Sequence, residues 1–238
     1  PRKYPLGLGI ITVSPLEMAR AFATFPNQGR EVEPLPIQFV EDRNGRIVLE
    51  PEKELRAAQQ RAGRNREIMS PQDAYIMTSL LQGVVSEGTL RGAAEWVGGF
   101  GRPIAGKTGT TQNWSDAWTV GFTPQITTAI WFGFDERGYS LGINQTGATS
   151  AGPAWAEFMK SAHQDLPAAD FSRPASGLAD VGVCAKSGKL PTKYCNEGII
   201  KEIFLAGTEP REFCDLHQFE QERNEGLKQT IKNSLMMG

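Results

Sequence analysis

The segment Gly101-Arg102-Pro103-Ile104-Ala105-Gly106-Lys107-Thr108-Gly109-Thr110-Thr111 fits two incompatible local structures. Its first eight residues spell G-x-x-x-x-G-K-[ST], a loop whose backbone amides cradle phosphates at the start of a helix. Its centre, Lys107-Thr108-Gly109, suits a strand that lines a cleft. There Lys supplies positive charge, Thr hydroxyls bind a carboxylate, and Gly lets a ligand approach the backbone closely. The residues downstream choose between them. Thr108-Gly109-Thr110-Thr111-Gln112-Asn113-Trp114-Ser115 is crowded with Gly, β-branched and turn-forming residues, so it makes a poor helix start. Pro103 would occupy the loop. The run Ala129 to Glu136 imitates a strand ending in a metal-holding Asp, but it lies too near to leave room for a parallel crossover helix. The strand reading is therefore preferred, and no nucleotide is expected.

Working outward, Ala117 to Phe122 and Ile126 to Phe134 flank the tight turn Thr123-Pro124-Gln125 and read as antiparallel neighbours. Upstream, Ser14-Pro15-Leu16-Glu17 and Ser70-Pro71-Gln72-Asp73 are helix-start signals, each with a Ser cap, a Pro and an acid three residues on. The first helix is expected to run to about Phe25, with Leu16, Ala19 and Ala23 inward. The second is expected to end near Gly88, with Ile76, Met77, Leu80, Leu81 and Val84 inward. Between them, Gln38-Phe39-Val40 and Ile47-Val48-Leu49 flank Asp42-Arg43-Asn44-Gly45, a hairpin signal. Residues 52–67, with Arg56, Arg61, Arg64 and Arg66 among acids, read as a solvated connector rather than a basic docking patch. Tyr139 to Ser150 reads as a loop. A third helix begins at Pro153, with Trp155, Phe158, Met159 and Ala162 on one face, and His163 suits a helix-end or core role. Helices before and after consecutive antiparallel strands predict an α+β fold.

Hydrophobic residues make up 39% of the chain and charged residues 22%, with a net charge of −2. That balance gives no bulk case for nucleic acid or anionic membrane. Apolar runs such as Thr127 to Phe134 are too short to cross a bilayer as a helix. The start, Pro1-Arg2-Lys3-Tyr4, looks like a cut inside a longer protein, so a missing targeting segment says little about compartment.

The stretch Ile104 to Thr111, then Asp116-Ala117-Trp118, Val120-Gly121-Phe122-Thr123-Pro124 and Trp131-Phe132-Gly133-Phe134-Asp135, resembles the transpeptidase domain of class A, bifunctional penicillin-binding proteins. The resemblance extends to Leu8-Gly9-Ile10, Ser14 to Ala19, Phe22-Ala23, Asn27-Gln28-Gly29, Gly88-Thr89 and Gly152-Pro153-Ala154-Trp155. It continues in the tail at Cys184, Ser187-Gly188, Cys195, Gly207-Thr208-Glu209-Pro210 and Cys214. It implies a serine acyl-transfer reaction that cross-links peptidoglycan stem peptides made from lipid-linked precursor, and acylation of the same serine by β-lactams. Lys107, Thr108 and Thr110 would contact the substrate carboxylate, and Gly109 would be the close-approach position. The backbone N–H of Thr110 would be half of an oxyanion hole. Thr111, Trp114, Ser115 and Asp116 are candidates to line the cleft, with packing or a turn role as the competing reading for Trp114 and Asp116.

That family requires S-x-x-K, S-x-N and K-T-G. No serine here has Lys three residues on, and no Ser-x-Asn occurs. The nucleophile, its Lys base, a glycosyltransferase domain and a membrane anchor are expected upstream, in a protein at the periplasmic or extracytoplasmic face of the inner membrane. Residues 1–165 are assigned to the transpeptidase domain and 166–238 to a linker and extension. Alternatives are a DD-carboxypeptidase or β-lactamase-like fragment, which the long tail disfavours, and a non-catalytic interaction module.

The three cysteines all lie in the last quarter of the chain. A disulfide between Cys184 and Cys195 suits an oxidising compartment. Cys184, Cys195, Cys214 and His217 alternatively make a Cys₃His set, a structural zinc class. The Cys184-to-Cys195 separation exceeds the usual ligand spacing of about two to four residues, which favours the disulfide. No metal or cofactor is expected on that reading.

Overall fold

A computed structural model describes residues 11–61, 66–136, 138–195, 198–217 and 225. Leu8-Gly9-Ile10, Pro1 to Tyr4 and Arg64 lie outside the described residues. The chain divides into two compact units, Pro1–Arg173 and Pro174–Gly238.

In the first unit the 101–111 segment is a strand from Ala105 to Thr110, β3, and Lys107-Thr108 sit in its middle rather than at a helix start. It pairs antiparallel with β4, Asp116–Phe122, which pairs antiparallel with β5, Thr127–Gly133, so β3 is an outer strand of the three. Asn113 and Trp114, both at positive φ, form the tight connection from β3 to β4. A separate hairpin, β1 (Val40–Glu41) and β2 (Ile47–Leu49), turns at Asp42, whose carboxylate accepts from the N–H groups of Asn44 and Arg46.

Among the described residues five α-helices accompany these strands: α1 (Pro15–Ala23), α2 (Pro51–Arg61), α3 (Pro71–Ser86), α4 (Arg91–Trp96) and α5 (Gly152–Ala162). Both Ser-Pro signals work as local chemistry dictates. Ser14 Oγ accepts from the Glu17 N–H while Glu17 reaches back to the Ser14 N–H at 2.8 Å, and Ser70 Oγ accepts from the Asp73 N–H at 3.1 Å. The first part of the expected connector instead makes a helix, α2, with Arg56 paired to Glu52 one turn earlier. Glycine at positions 88 and 92 obscures α4 in the sequence.

Two apolar clusters are built against the sheet. One joins Val85, Leu90, Ala93, Val97 and Ile104 to Trp155, Ala156 and Met159 of α5. The other joins Leu81, Ala105 and Phe122, with Phe22, Phe25 and Phe171 around them. Phe171 meets Phe122 edge-on at 5.7 Å between ring centroids, so part of the segment expected to be linker packs within the first unit. The expected inward faces need correction. Leu16 is exposed on α1, Met77 and Leu80 are exposed on α3, and Phe158 is exposed on α5. The buried stripe of α3 is Ala74, Thr78, Leu81 and Val85.

Two polar ties fix the ends of these elements. Arg102, just before β3, donates to the carbonyls of His163 and Leu166 at 3.1 and 2.8 Å, satisfying acceptors after the last turn of α5. His163 itself is the buried cap of α5. Its Nδ1 donates to the Met159 carbonyl at 2.6 Å, so its Nε2 accepts from Thr123 Oγ1 at 2.8 Å.

The second unit contains one antiparallel hairpin, β6 (Leu178–Cys184) with β7 (Ile199–Leu205), which the sequence reading did not foresee. Among the described residues no helix is long and apolar enough to cross a membrane.

Candidate functional site

Side chains on β3 alternate between faces. Lys107 and Gly109 lie on one face, and Thr108 and Thr110 on the other. The Lys107 ammonium is exposed and donates to the Thr108 carbonyl at 2.7 Å. Thr108 Oγ1 shares a 2.8 Å hydrogen bond with Thr89 Oγ1, which lies between α3 and α4. Thr110 is exposed, and its hydroxyl accepts the Gly147 N–H at 3.0 Å. The N–H of Thr111 donates to the Asp116 carbonyl at 3.1 Å. In an antiparallel ladder, inward and outward amides alternate. The Thr110 N–H is therefore turned away from β4.

Gly147 lies in the stretch expected to be a loop, in a wide helical turn, Gly147–Ala151, that leads into α5. Its carbonyl accepts from the buried Thr119 hydroxyl at 2.8 Å. A Cβ added at Gly147 would collide with the carbonyl oxygens of Trp118 and Gly109. The turn is thus locked onto the end of β3 by hydrogen bonds to Thr110 and Thr119. Sequence reasoning missed Gly147 and Thr119; the only local signal was Thr146-x-x-Thr149, which forms a reciprocal cap at the head of that turn.

The remaining predicted positions divide. Asp116 supports the turn: its Oδ2 accepts from Thr111 Oγ1 at 2.9 Å and its Oδ1 from Trp131 Nε1 at 2.9 Å. Both carboxylate oxygens are therefore engaged. Trp114 is half-buried, and its carbonyl accepts from the Leu141 N–H at 2.9 Å. Ser115 Oγ donates to the Gln112 carbonyl at 3.2 Å.

In the second unit Cys184, Cys195 and Cys214 are all free thiols, so the Cys184–Cys195 disulfide is not formed in this structure. The three sulfurs and a ring nitrogen of His217 lie within 4.8 Å of one another. His217 Nδ1 is 3.3 Å from Cys214 Sγ and 3.6 Å from Cys184 Sγ. A hydrogen bond from the Ser187 side chain, and then the backbone and ring of His217, hold the Cys214 thiol well below its ordinary range, at about 6.

Residues 3–160 match the penicillin binding protein transpeptidase domain, and residues 174–219 match the penicillin-binding protein 1A C-terminal domain. The chain belongs to the penicillin-binding protein transpeptidase family. The two matches bear out the resemblance to class A proteins and the α+β fold read from the sequence. A penicillin-binding protein 1A of Aquifex aeolicus (strain VF5) is 35% identical over 213 residues, 89% of this chain and 27% of that protein. The crystal structure of penicillin-binding protein 1A from Haemophilus influenzae covers 89% of this chain and 35% of its own, at a TM-score of 0.76 and 29% identity. PonA1 of Mycobacterium tuberculosis, in complex with penicillin V, shares the fold, at a TM-score of 0.59 and 24% identity over 74% of this chain and 45% of its own. The chain spans about a quarter of the length of the curated relatives it matches.

Proposed function

We propose that Lys107-Thr108-Gly109 forms the carboxylate-binding wall of a serine-type D-Ala-D-Ala transpeptidase cleft in a larger protein of the cell wall. The observation that carries this reading is the outer strand β3, with an exposed cation at Lys107, hydroxyls at Thr108 and Thr110, and an N–H at Thr110 turned away from β4. In the reaction, a serine Oγ attacks the carbonyl of the penultimate D-Ala of a stem peptide. The C–N bond breaks, and the terminal D-Ala leaves as an amine with the serine's proton. The amine of a second stem peptide then attacks the acyl-enzyme ester, forms the new amide and returns a proton to the serine.

On this reading the Thr108 and Thr110 hydroxyls and the Lys107 ammonium, which reaches the open edge of β3 at the Thr108 carbonyl, hold the terminal carboxylate by charge-assisted hydrogen bonds. Gly109 keeps the strand surface low enough for the peptide to lie against it. The Thr110 N–H stabilises the developing oxyanion. β-Lactams also present a carboxylate beside an acylating carbonyl, so they engage the same wall. Trp114 and Asp116 act on the cleft indirectly, because the bonds they make hold the turn beyond β3. The nucleophile belongs to residues beyond these 238, since neither S-x-x-K nor S-x-N occurs among them. A membrane anchor, a glycosyltransferase domain and a periplasmic or extracytoplasmic location are part of the same proposal. The match of residues 174–219 to a penicillin-binding protein 1A domain supports it over a β-lactamase-like fragment.

Fluorescent penicillin tests the proposal in two samples. The intact protein should be acylated, and Lys107→Ala should slow that acylation by about ten- to a hundredfold, the worth of one charged hydrogen bond. The isolated 238-residue chain should remain unlabelled. A stable adduct on any of its own serines, or an unaffected Lys107→Ala rate, overturns the assignment.

A further inference from the structure

The second unit poses a stability problem that its fold does not answer. A two-stranded hairpin is marginal in water without further packing. Among the described residues of this unit, only Val183, Cys184, Cys214 and His217 are buried. Three of those four carry a soft or borderline metal-binding atom, and Cys195, half-buried, brings a fourth such atom to the same point. A small unit with so little apolar core requires a staple such as a disulfide or a metal.

We infer that Cys184, Cys195, Cys214 and His217 form a structural zinc site that replaces an apolar core in this unit. Zinc with three thiolates and one imidazole is tetrahedral, with Zn–S about 2.3 Å and Zn–N about 2.0–2.1 Å. Those bonds set sulfur–nitrogen edges of about 3.6 Å and sulfur–sulfur edges of about 3.8 Å. The observed sulfur–nitrogen separations, 3.3 and 3.6 Å, match them, and the whole set spans no more than 4.8 Å. The Cys214-Asp215-Leu216-His217 spacing brings sulfur and Nδ1 to the same side of one short turn.

The backbone carries the other two ligands to that turn. Cys184 ends β6, and its N–H donates to the Lys189 carbonyl at 2.8 Å. Leu190 then forms a bridge with Phe213, and the Cys214 N–H donates to the Leu190 carbonyl at 2.8 Å. The two buried cysteines are thereby held by main-chain bonds before any metal binds. Cys195 arrives on a separate turn in which its sulfur accepts the Thr192 N–H at 3.3 Å, a contact suited to a thiolate. Four protein ligands leave no open coordination position, so the site is structural rather than catalytic. A disulfide would consume two of the sulfurs and leave a thiol and an imidazole crowded against it. The wide Cys184-to-Cys195 spacing, which favoured a disulfide in the sequence, reflects ligands drawn from opposite ends of a loop.

The 238-residue chain, purified without chelator, tests this by metal analysis and by thiol counting on the unreduced, native protein before and after chelation. One zinc per chain and three thiols that become reactive only after chelation are expected. Cys195→Ser and His217→Ala should each lose zinc or bind it at least tenfold more weakly. Because a variant can also fail to fold, Co²⁺ is added to the metal-stripped wild-type chain as a second measurement. It should give the intense visible bands of a tetrahedral thiolate complex. A metal-free chain with one thiol and a disulfide overturns the inference, as does a reduced chain that gives no such bands with Co²⁺ and takes up no zinc. This outcome is separate from the penicillin experiment, which reads β3.

Discussion

Gly147 shows how much of the candidate site rests on a single missing side-chain atom. Its N–H and carbonyl are both bonded, to Thr110 and Thr119, and its Cα faces the carbonyl oxygens of Gly109 and Trp118. Gly147→Ala should therefore push the turn away from β3 and destabilise the first unit by about 1–3 kcal/mol, the cost of overpacking a closed site. Gly83→Ala on α3 is the control. A Cβ there meets nothing within 4 Å, and alanine in a helix is favoured over glycine by about 1 kcal/mol. Urea denaturation of the two variants should move in opposite directions; a neutral Gly147→Ala would refute the locking role. At this scale the sequence exposed Lys107-Thr108-Gly109, because charge, hydroxyl and a missing Cβ are properties of the residues themselves. Gly147 lies 38 positions after Gly109 in the chain, and no local rule pairs them.

Elements were more legible in type than in orientation. The Ser14 and Ser70 caps, and the three strands, follow from short-range chemistry and appear near where the sequence places them. The inward faces do not. Periodicity scores Ile76, Met77 and Leu80 as core, yet the buried stripe of α3 includes Ala74 and Thr78, small residues that let neighbouring backbone come close. On α5, Trp155 and Phe158 look equivalent in a helical wheel. Trp155 is fully buried, lying where a Cβ on Gly121 would strike its ring, whereas Phe158 is 49% exposed. Trp155→Ala should cost about 3–5 kcal/mol by opening a core cavity, and Phe158→Ala should cost well under half as much. Equal losses in chemical denaturation would show that the burial difference has no energetic weight.

At the scale of the whole molecule, the two units have separate sheets and separate means of stabilisation. The first has two apolar clusters, and the second has its cysteine and histidine cluster. All five tryptophans, at positions 96, 114, 118, 131 and 155, are in the first unit. If the second unit is held by zinc, a chelator should lower the unfolding midpoint seen for that unit and leave the tryptophan-fluorescence midpoint in place. A chelator-induced shift of the tryptophan transition by the same amount would mean that the chain unfolds as one cooperative body. Composition places a Pro-, Ala- and Ser-rich stretch between the apolar run of α5 and the first cysteine. Within that stretch Phe171 packs in the cluster around Phe122.

Local chemistry settled the helix caps and the strand that the structure places at Ala105–Thr110, and it marked Lys107, Thr108 and Thr110 as the polar residues on which the proposed carboxylate-binding wall rests. These depend on residues within a few positions of one another. The buried stripe of each helix and the Gly147 lock came only from the tertiary structure, as did the proximity of the three sulfurs and one ring nitrogen that the sequence offered as one of two readings. Each depends on which distant backbone fills the neighbouring space, and short-range propensity carries no information about that.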